Sequence, residues 1–187
     1  MDIRIRGLIL IVLFFSIPAS CSSEKQDEGK KMQNDVSVVD NALEKEDATK
    51  AIIAIDEKLF QQFYENPDSL SGPEKNFVFV ENVEREVNNG GFSQFFYNSS
   101  GDYAHESLEA LREIGAESAA ELLEKAIDQF PDGTVPKDRD ERIAVLEQIR
   151  DRAEKVWNGL DDKFYGYPDD IAALLLEYVR NNRPEFK

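Results

Sequence analysis

The chain is short of the side chains that most often carry catalysis and cross-linking. It has one cysteine and one histidine among 187 residues. A single cysteine excludes an internal disulfide, so the core must hold itself together. A single histidine means that any Ser-His-Asp or Cys-His relay would have to pass through His105, and no local motif surrounds it. Its place at the start of a helical pattern reads as a surface or capping histidine. No thiolate or imidazole cluster offers a zinc site, and no glycine-rich phosphate loop is present. Basic residues are also scarce, 22 against 38 acidic, which leaves a net charge of −16. That balance disfavours nucleic acid as a direct ligand, because each phosphate would meet like charge; a charged partner should be a basic protein.

The acidic residues do not form a recognised cation loop either. Asp138, Asp140 and Glu141, and the pairs Asp161-Asp162 and Asp169-Asp170, could attract a hard cation but lack the spacing of a calcium hand. Glu84 and Glu86 stand two apart and would face different sides of a helix. No cofactor and no metal are expected, and the chain reads as a non-enzyme. A carboxylate-based hydrolase, whose two acids can lie far apart in sequence, is the enzymatic alternative.

Long apolar runs are limited to the start of the chain. Arg4 and Arg6 precede the run Gly7 to Ile17, whose length suits the apolar stretch of a signal peptide and falls short of the roughly 20 residues of a membrane span. Pro18-Ala19-Ser20-Cys21 follows and resembles the lipobox of bacterial lipoproteins, with proline where leucine is usual. The expectation is a signal peptide over 1–20 and a lipid-modified Cys21 that ties the protein to the membrane of the bacterial envelope, facing away from the cytoplasm. Residues 21–49 have no aromatic side chain and few apolar ones, too little to offset the entropy of ordering, and are expected to form a flexible tether. A helix around Val36 to Glu46 is the alternative at its end.

The remaining segment, 50–187, is helical by pattern. Ile52, Ile55, Leu59 and Phe63 share one helical face that stops at Asn66-Pro67. Ser71-Gly72-Pro73-Glu74 matches a capping box, and Phe77, Val80, Val83 and Val87 continue as an apolar stripe. That helix is expected to end at Asn88-Asn89-Gly90-Gly91, with Gly90 in the left-handed conformation. Phe92, Phe95 and Phe96 then read as a short aromatic turn or helix whose rings are mainly core. Further stripes run through Leu108, Leu111 and Ile114, through Ala119 to Ile127, through Ile143 to Trp157, and through Ile171 to Tyr178. No alternation with period two is long enough for a sheet. The fold class is all-α, an irregular single-domain bundle of about six or seven helices.

The run Glu84 to Asn98 contains Val87-Asn88-Asn89-Gly90-Gly91-Phe92-Ser93-Gln94-Phe95-Phe96. It resembles the VNNGGFxQFF signature of an all-helical bacterial family named after a DNA mimic protein. The resemblance continues through Ala110-Leu111, Ile114-Gly115-Ala116, Leu160-Asp161 and Phe164-Tyr165, and covers roughly Ile52 to Phe186. It implies an acidic, dimeric domain that presents carboxylates to a DNA-binding protein; the lipoprotein-type signal departs from it. From the residues alone the signature has two readings. One is a corner whose glycines allow a reversal and whose asparagine amides satisfy free carbonyls at a helix end. The other is a polar pocket lined by Asn88, Asn89, Gln94 and Asn98, serving a small-ligand receptor or an enzyme.

Glu106, Glu109, Glu113, Glu117, Glu121, Glu124 and Asp128 follow at steps of three or four and would form a carboxylate ridge, one charge per turn of about 5.4 Å. Gly115 would divide it into two angled pieces, with Arg112 and Lys125 close enough to neutralise part of it. A solvated helix face is the plain reading of such a run. Residues 51–187 hold 29 acidic and 15 basic side chains, a net charge of −14, so the excess belongs to the folded part. The favoured reading is a non-enzymatic module whose acidic face engages a basic protein, with an envelope immunity or inhibitor protein against a basic toxin or nuclease as the alternative.

Overall fold

A computed structural model describes residues 38–45 and 47–187; the signal segment and Cys21 lie outside the described residues. Six helices follow in order: α1 (Ala48–Glu65), α2 (Gly72–Tyr97), α3 (Ala104–Glu113), α4 (Glu117–Ile127), α5 (Arg139–Phe164) and α6 (Ile171–Asn181), with short 3-10 turns between α1 and α2, α2 and α3, and α4 and α5. A helical stretch over 38–43 precedes them. No strand occurs among the described residues, and the architecture is the irregular all-α bundle that the patterning predicts.

Local chemistry sets the helix ends. Asp47 accepts from Lys50 N at the start of α1, which stops at Glu65 before Asn66-Pro67. At the start of α2 both halves of the capping box form: Glu74 N donates to Ser71 Oγ at 3.2 Å, and Ser71 N donates to Glu74 Oε2 at 2.9 Å. α2 is the central element and packs against α1, α3, α5 and α6. Its Phe77, Val78, Val80, Val83 and Val87 are all fully buried, so several of its faces are enclosed.

The structure corrects the reading of the Asn-Asn-Gly-Gly run. α2 does not end there; it bends and resumes. Gly90 is extended at φ −166°, and the left-handed φ falls on Gly91, at φ 73° and ψ −176°. That combination is almost confined to glycine. The break releases Phe92 N–H from the helical ladder, and Asp161 Oδ1 of α5 accepts it at 2.9 Å. A Cβ on Gly91 would lie 2.3 Å from Asp161 Oδ2, so glycine is needed for the approach as well as for the dihedral. Beyond the bend Phe92, Phe95 and Phe96 are fully buried. Phe92 meets Phe164 edge-on, and Phe96 packs against Phe130 and Trp157.

The resumed helix ends over Arg142, a fully buried residue of α5. All five guanidinium N–H groups find acceptors. Nε donates to Phe96 O at 2.7 Å, Nη1 to Pro136 O and Lys137 O, and Nη2 to Asn98 O and the Asp102 carboxylate. One side chain thus satisfies the carbonyl end of α2, fixes the loop before α5 and holds the 3-10 turn Ser99–Tyr103. The stripe expected on α5 changes accordingly: Ile143 and Leu146 are only partly buried, while Arg142 beside them is enclosed.

Residues 38–43, within the stretch read as tether, pack on the domain. Val39 and Ala42 are fully buried, and Arg183 Nε donates to Asp40 Oδ1 at 2.7 Å.

Gly91→Ala should destabilise the domain by about 1–3 kcal/mol from the backbone conformation alone. Gly90→Ala should cost less, because its extended φ is open to any residue and the nearest obstacle is the Gln94 side chain, which can shift at the expense of its bond to Glu86. Thermal melts of the two variants check this; equal losses would show that the Asp161 approach is not what demands glycine.

Candidate functional site

Much of the acidic surplus is used inside the fold. Asp138 caps α5 by accepting from Glu141 N at 3.0 Å, and Asp170 caps α6 by accepting from Ala173 N at 3.0 Å. Asp169 reaches across to the start of α4, where Ala116 has no capping side chain, and accepts from Ala119 N at 2.8 Å. Among the described residues no group of three or more His, Cys, Asp or Glu side chains could hold a metal ion. His105 Nε2 accepts from Val135 N at 3.2 Å and so ties α3 to the loop before α5.

Glu86 is a structural carboxylate that helical spacing does not reveal. It accepts from Gln94 Nε2 and Asn98 Nδ2, both at 2.8 Å, and from Ser100 Oγ at 3.2 Å. These partners lie eight to fourteen residues away and reach one carboxylate only because α2 bends at Gly90-Gly91. The polar corner is therefore divided. Gln94 and Asn98 are engaged by Glu86, whereas Asn88 and Asn89 are exposed and line a separate cavity. The free carbonyls at the end of α2 are met by Arg142, not by asparagine amides.

The seven residues of the proposed ridge lie on α3, α4 and the residue that ends α4. Glu109, Glu113, Glu117, Glu121, Glu124 and Asp128 are exposed; Glu106 is half-buried. Gly115, with φ 83°, separates the two helices. Arg112 bridges them, pairing with Glu109 at 2.9 Å and with Glu124 at 2.7 Å. Lys125 pairs with Glu121 at 3.1 Å, and Lys137 with Glu106. Glu113 is tied inward: it accepts from the Tyr178 hydroxyl at 2.9 Å and from Asn76 Nδ2 at 2.7 Å. Burial, together with that bond, pushes the Tyr178 phenol up to about 12. The ridge is thus partly countered. Yet the Glu109 and Glu121 side chains remain 71% and 67% exposed within their pairs. Pairs so exposed are worth little, typically about 0–1 kcal/mol, so an incoming cation can replace the internal one at small cost.

A second acidic constellation lies between α1, α2 and α6. Asp56, Glu81, Glu84, Arg85, Asn88 and Asn89 line a cavity of about 390 Å³ together with Ile52, Ile53 and Ala172. Glu84 faces it while Glu86 faces the corner, as a two-residue step on a helix requires. Arg85 Nη2 donates to Asp56 Oδ2 at 2.6 Å, and its guanidinium lies 4.6 Å from the Phe60 ring centroid. Burial raises the Asp56 carboxyl despite that pair, which places desolvation ahead of the attraction to Arg85. Burial also pushes Glu81 up to about 8, with the charges of Asp56 and Glu84 adding to the shift and Arg85 opposing it. Glu84 is raised by burial and by Asp170.

A carboxyl that holds its proton longer when folded makes the native state bind more protons than the unfolded chain. Glu81 therefore reduces stability as pH rises from its unfolded value near 4.5 towards 8, and costs nothing below that window. Glu81→Gln should stabilise the domain by about 1–3 kcal/mol at pH 8 and by much less at pH 5. Denaturant melts at the two pH values test this, and a gain independent of pH would contradict the assignment.

The comparisons with known proteins agree with the signature read from residues 84–98. No curated protein and no solved structure matches the chain. A family model described as DMP19-like protein matches residues 68–182, from the turn before α2 to the end of α6. That span is more than half of the chain and takes in the bend, Arg142, the ridge and most of the cavity, and the chain belongs to the DMP19-like, DNA-mimic family.

Proposed function

We propose that this protein is a non-enzymatic acidic binding module that presents carboxylates to a basic protein in the manner of a DNA mimic. The observation that carries the proposal is the exposed ridge of α3 and α4, six of whose seven carboxylates stand at the surface while Asp138, Asp161, Asp169, Asp170 and Glu86 are engaged within the fold. Family membership supports a binding role of this kind. Complementary charge speeds encounter and selects partners, and its reach falls to about 8–10 Å at ordinary salt. The homodimer that the resemblance implies would carry two such ridges on one particle.

The same reading places the protein in the bacterial envelope, held by lipid on Cys21 and facing away from the cytoplasm. The order of basic, apolar and cysteine segments at the start of the chain supports it. The ridge would then meet a basic protein outside the cytoplasm.

Two measurements separate the anchor from the ridge. Cys21→Ser should release the protein from the membrane fraction and change its migration; a variant that stays bound and migrates unchanged would refute lipidation. Changing Glu109, Glu117 and Glu121 together to Gln removes three exposed charges, keeps helix propensity, and spares Glu113 with its bonds to Tyr178 and Asn76. Basic proteins captured from bacterial extract should associate about tenfold more slowly with this variant, and binding of the parent should weaken steeply with salt. A salt-insensitive complex that the triple change leaves intact would sink the mimic reading.

A further inference from the structure

The cavity between α1, α2 and α6 is short of positive charge in a way that the ridge is not. Apart from the half-buried Glu106, whose Oε2 is also shielded, the charged pairs on α3 and α4 are exposed, whereas two carboxylates here, Glu81 and Asp56, each hold an oxygen that is shielded from solvent and accepts no hydrogen bond among the described residues. Such groups are costly unless a donor reaches them. Their residues stand on two different helices and line one cavity, with Glu84 beside them and Arg85 as the one cation of the lining among the described residues.

We infer that this cavity binds a guanidinium carried on an alkyl stem, the chemistry of an arginine side chain or of a free alkylguanidine. The residues specify the two ends separately. Asp56, Glu81 and Glu84 supply acceptors for a planar fork of N–H donors, which suits carboxylates on separate helices better than a small ion does. That no three acidic side chains among the described residues converge as metal ligands agrees with this choice. Ile52, Ile53 and Ala172 supply an apolar wall for methylene groups. The exposed amides of Asn88 and Asn89, which make no part of the Glu86 network, complete the lining.

Binding should depend on pH through the groups that face Glu81: Asp56 on α1, Glu84 and Arg85 on α2, and Asp170 at the start of α6, which acts on Glu84. Glu81 must lose its proton to become an ion partner, so affinity should rise as pH passes through about 8, with a proton released on binding.

Calorimetry and amide NMR on the full chain test the inference, with n-butylguanidinium as the probe and guanidinium ion and n-butanol as controls. The alkylguanidinium should bind at least about tenfold more tightly than either control, shifting the Asn88 and Asn89 amides, because only it satisfies both the carboxylates and the apolar wall. Glu81→Gln should weaken it several-fold without loss of fold, and Ile53→Trp, at a position 52% exposed, should block it without altering charge. The blocked peptide acetyl-Gly-Arg-Gly-amide distinguishes the sources: binding equal to the probe assigns the cavity to a protein-borne arginine, and exclusion of the peptide assigns it to a free small cation. The ridge triple variant should bind the probe as the parent does, so failure of the mimic reading leaves this result untouched. Absence of saturable binding, or equal affinity for the parent and Glu81→Gln, would overturn the inference.

Discussion

The fold turns on one hydrogen bond, from Phe92 N–H to Asp161 Oδ1 across the bend of α2. A straight helix of 26 residues would carry Phe92, Phe95 and Phe96 away from α5. Breaking the ladder at Gly90-Gly91 leaves a buried N–H, and an unmet donor of that kind costs about 1–3 kcal/mol. Asp161 meets it, but only because Gly91 has no Cβ in the way. Once the bend is held, the three phenylalanines enter the core, Gln94 and Asn98 swing back to Glu86, and the carbonyls at the helix end come within reach of Arg142. The signature that marks the family is thus explained in large part by the needs of one corner.

That corner also sorts the acidic residues. Asp161 and Glu86 hold the bend; Asp138, Asp169 and Asp170 satisfy helix N-termini, where negative charge is favoured by unpaired N–H groups. The ridge of α3 and α4 stays at the surface in pairs weak enough to exchange. The cavity beside Glu81 holds carboxylates that the fold tolerates at a cost in stability. High negative charge alone does not single out a face of this molecule, because many of its carboxylates serve the fold.

Much of the helical order was legible in the sequence because it rests on local rules. The capping box at Ser71, the stop before Pro67 and the stripe from Phe77 to Val87 all depend on neighbours within a few residues. The bend was half legible: the glycines announced a break, but whether the chain would stop or continue depended on Asp161, 69 residues from Phe92. Arg142 was hidden for the same reason. An arginine next to the apolar Ile143 reads as surface until the acceptors from three separate segments are brought around it. The asparagine-rich corner divided in two because the bend separates Asn88 and Asn89 from Gln94 and Asn98, which no linear spacing reveals.

The claim that the ridge is the partner-binding face can be read directly by zero-length carboxylate-to-amine cross-linking of the protein to a salt-released basic partner, with the joined residues mapped by mass spectrometry. Glu109, Glu117, Glu121 and Asp128, which are exposed and free of inward bonds to other helices, should carry the cross-links. Cross-links confined to carboxylates on α5, such as Glu147, Asp151 and Glu154, with none on α3 or α4, would contradict the account.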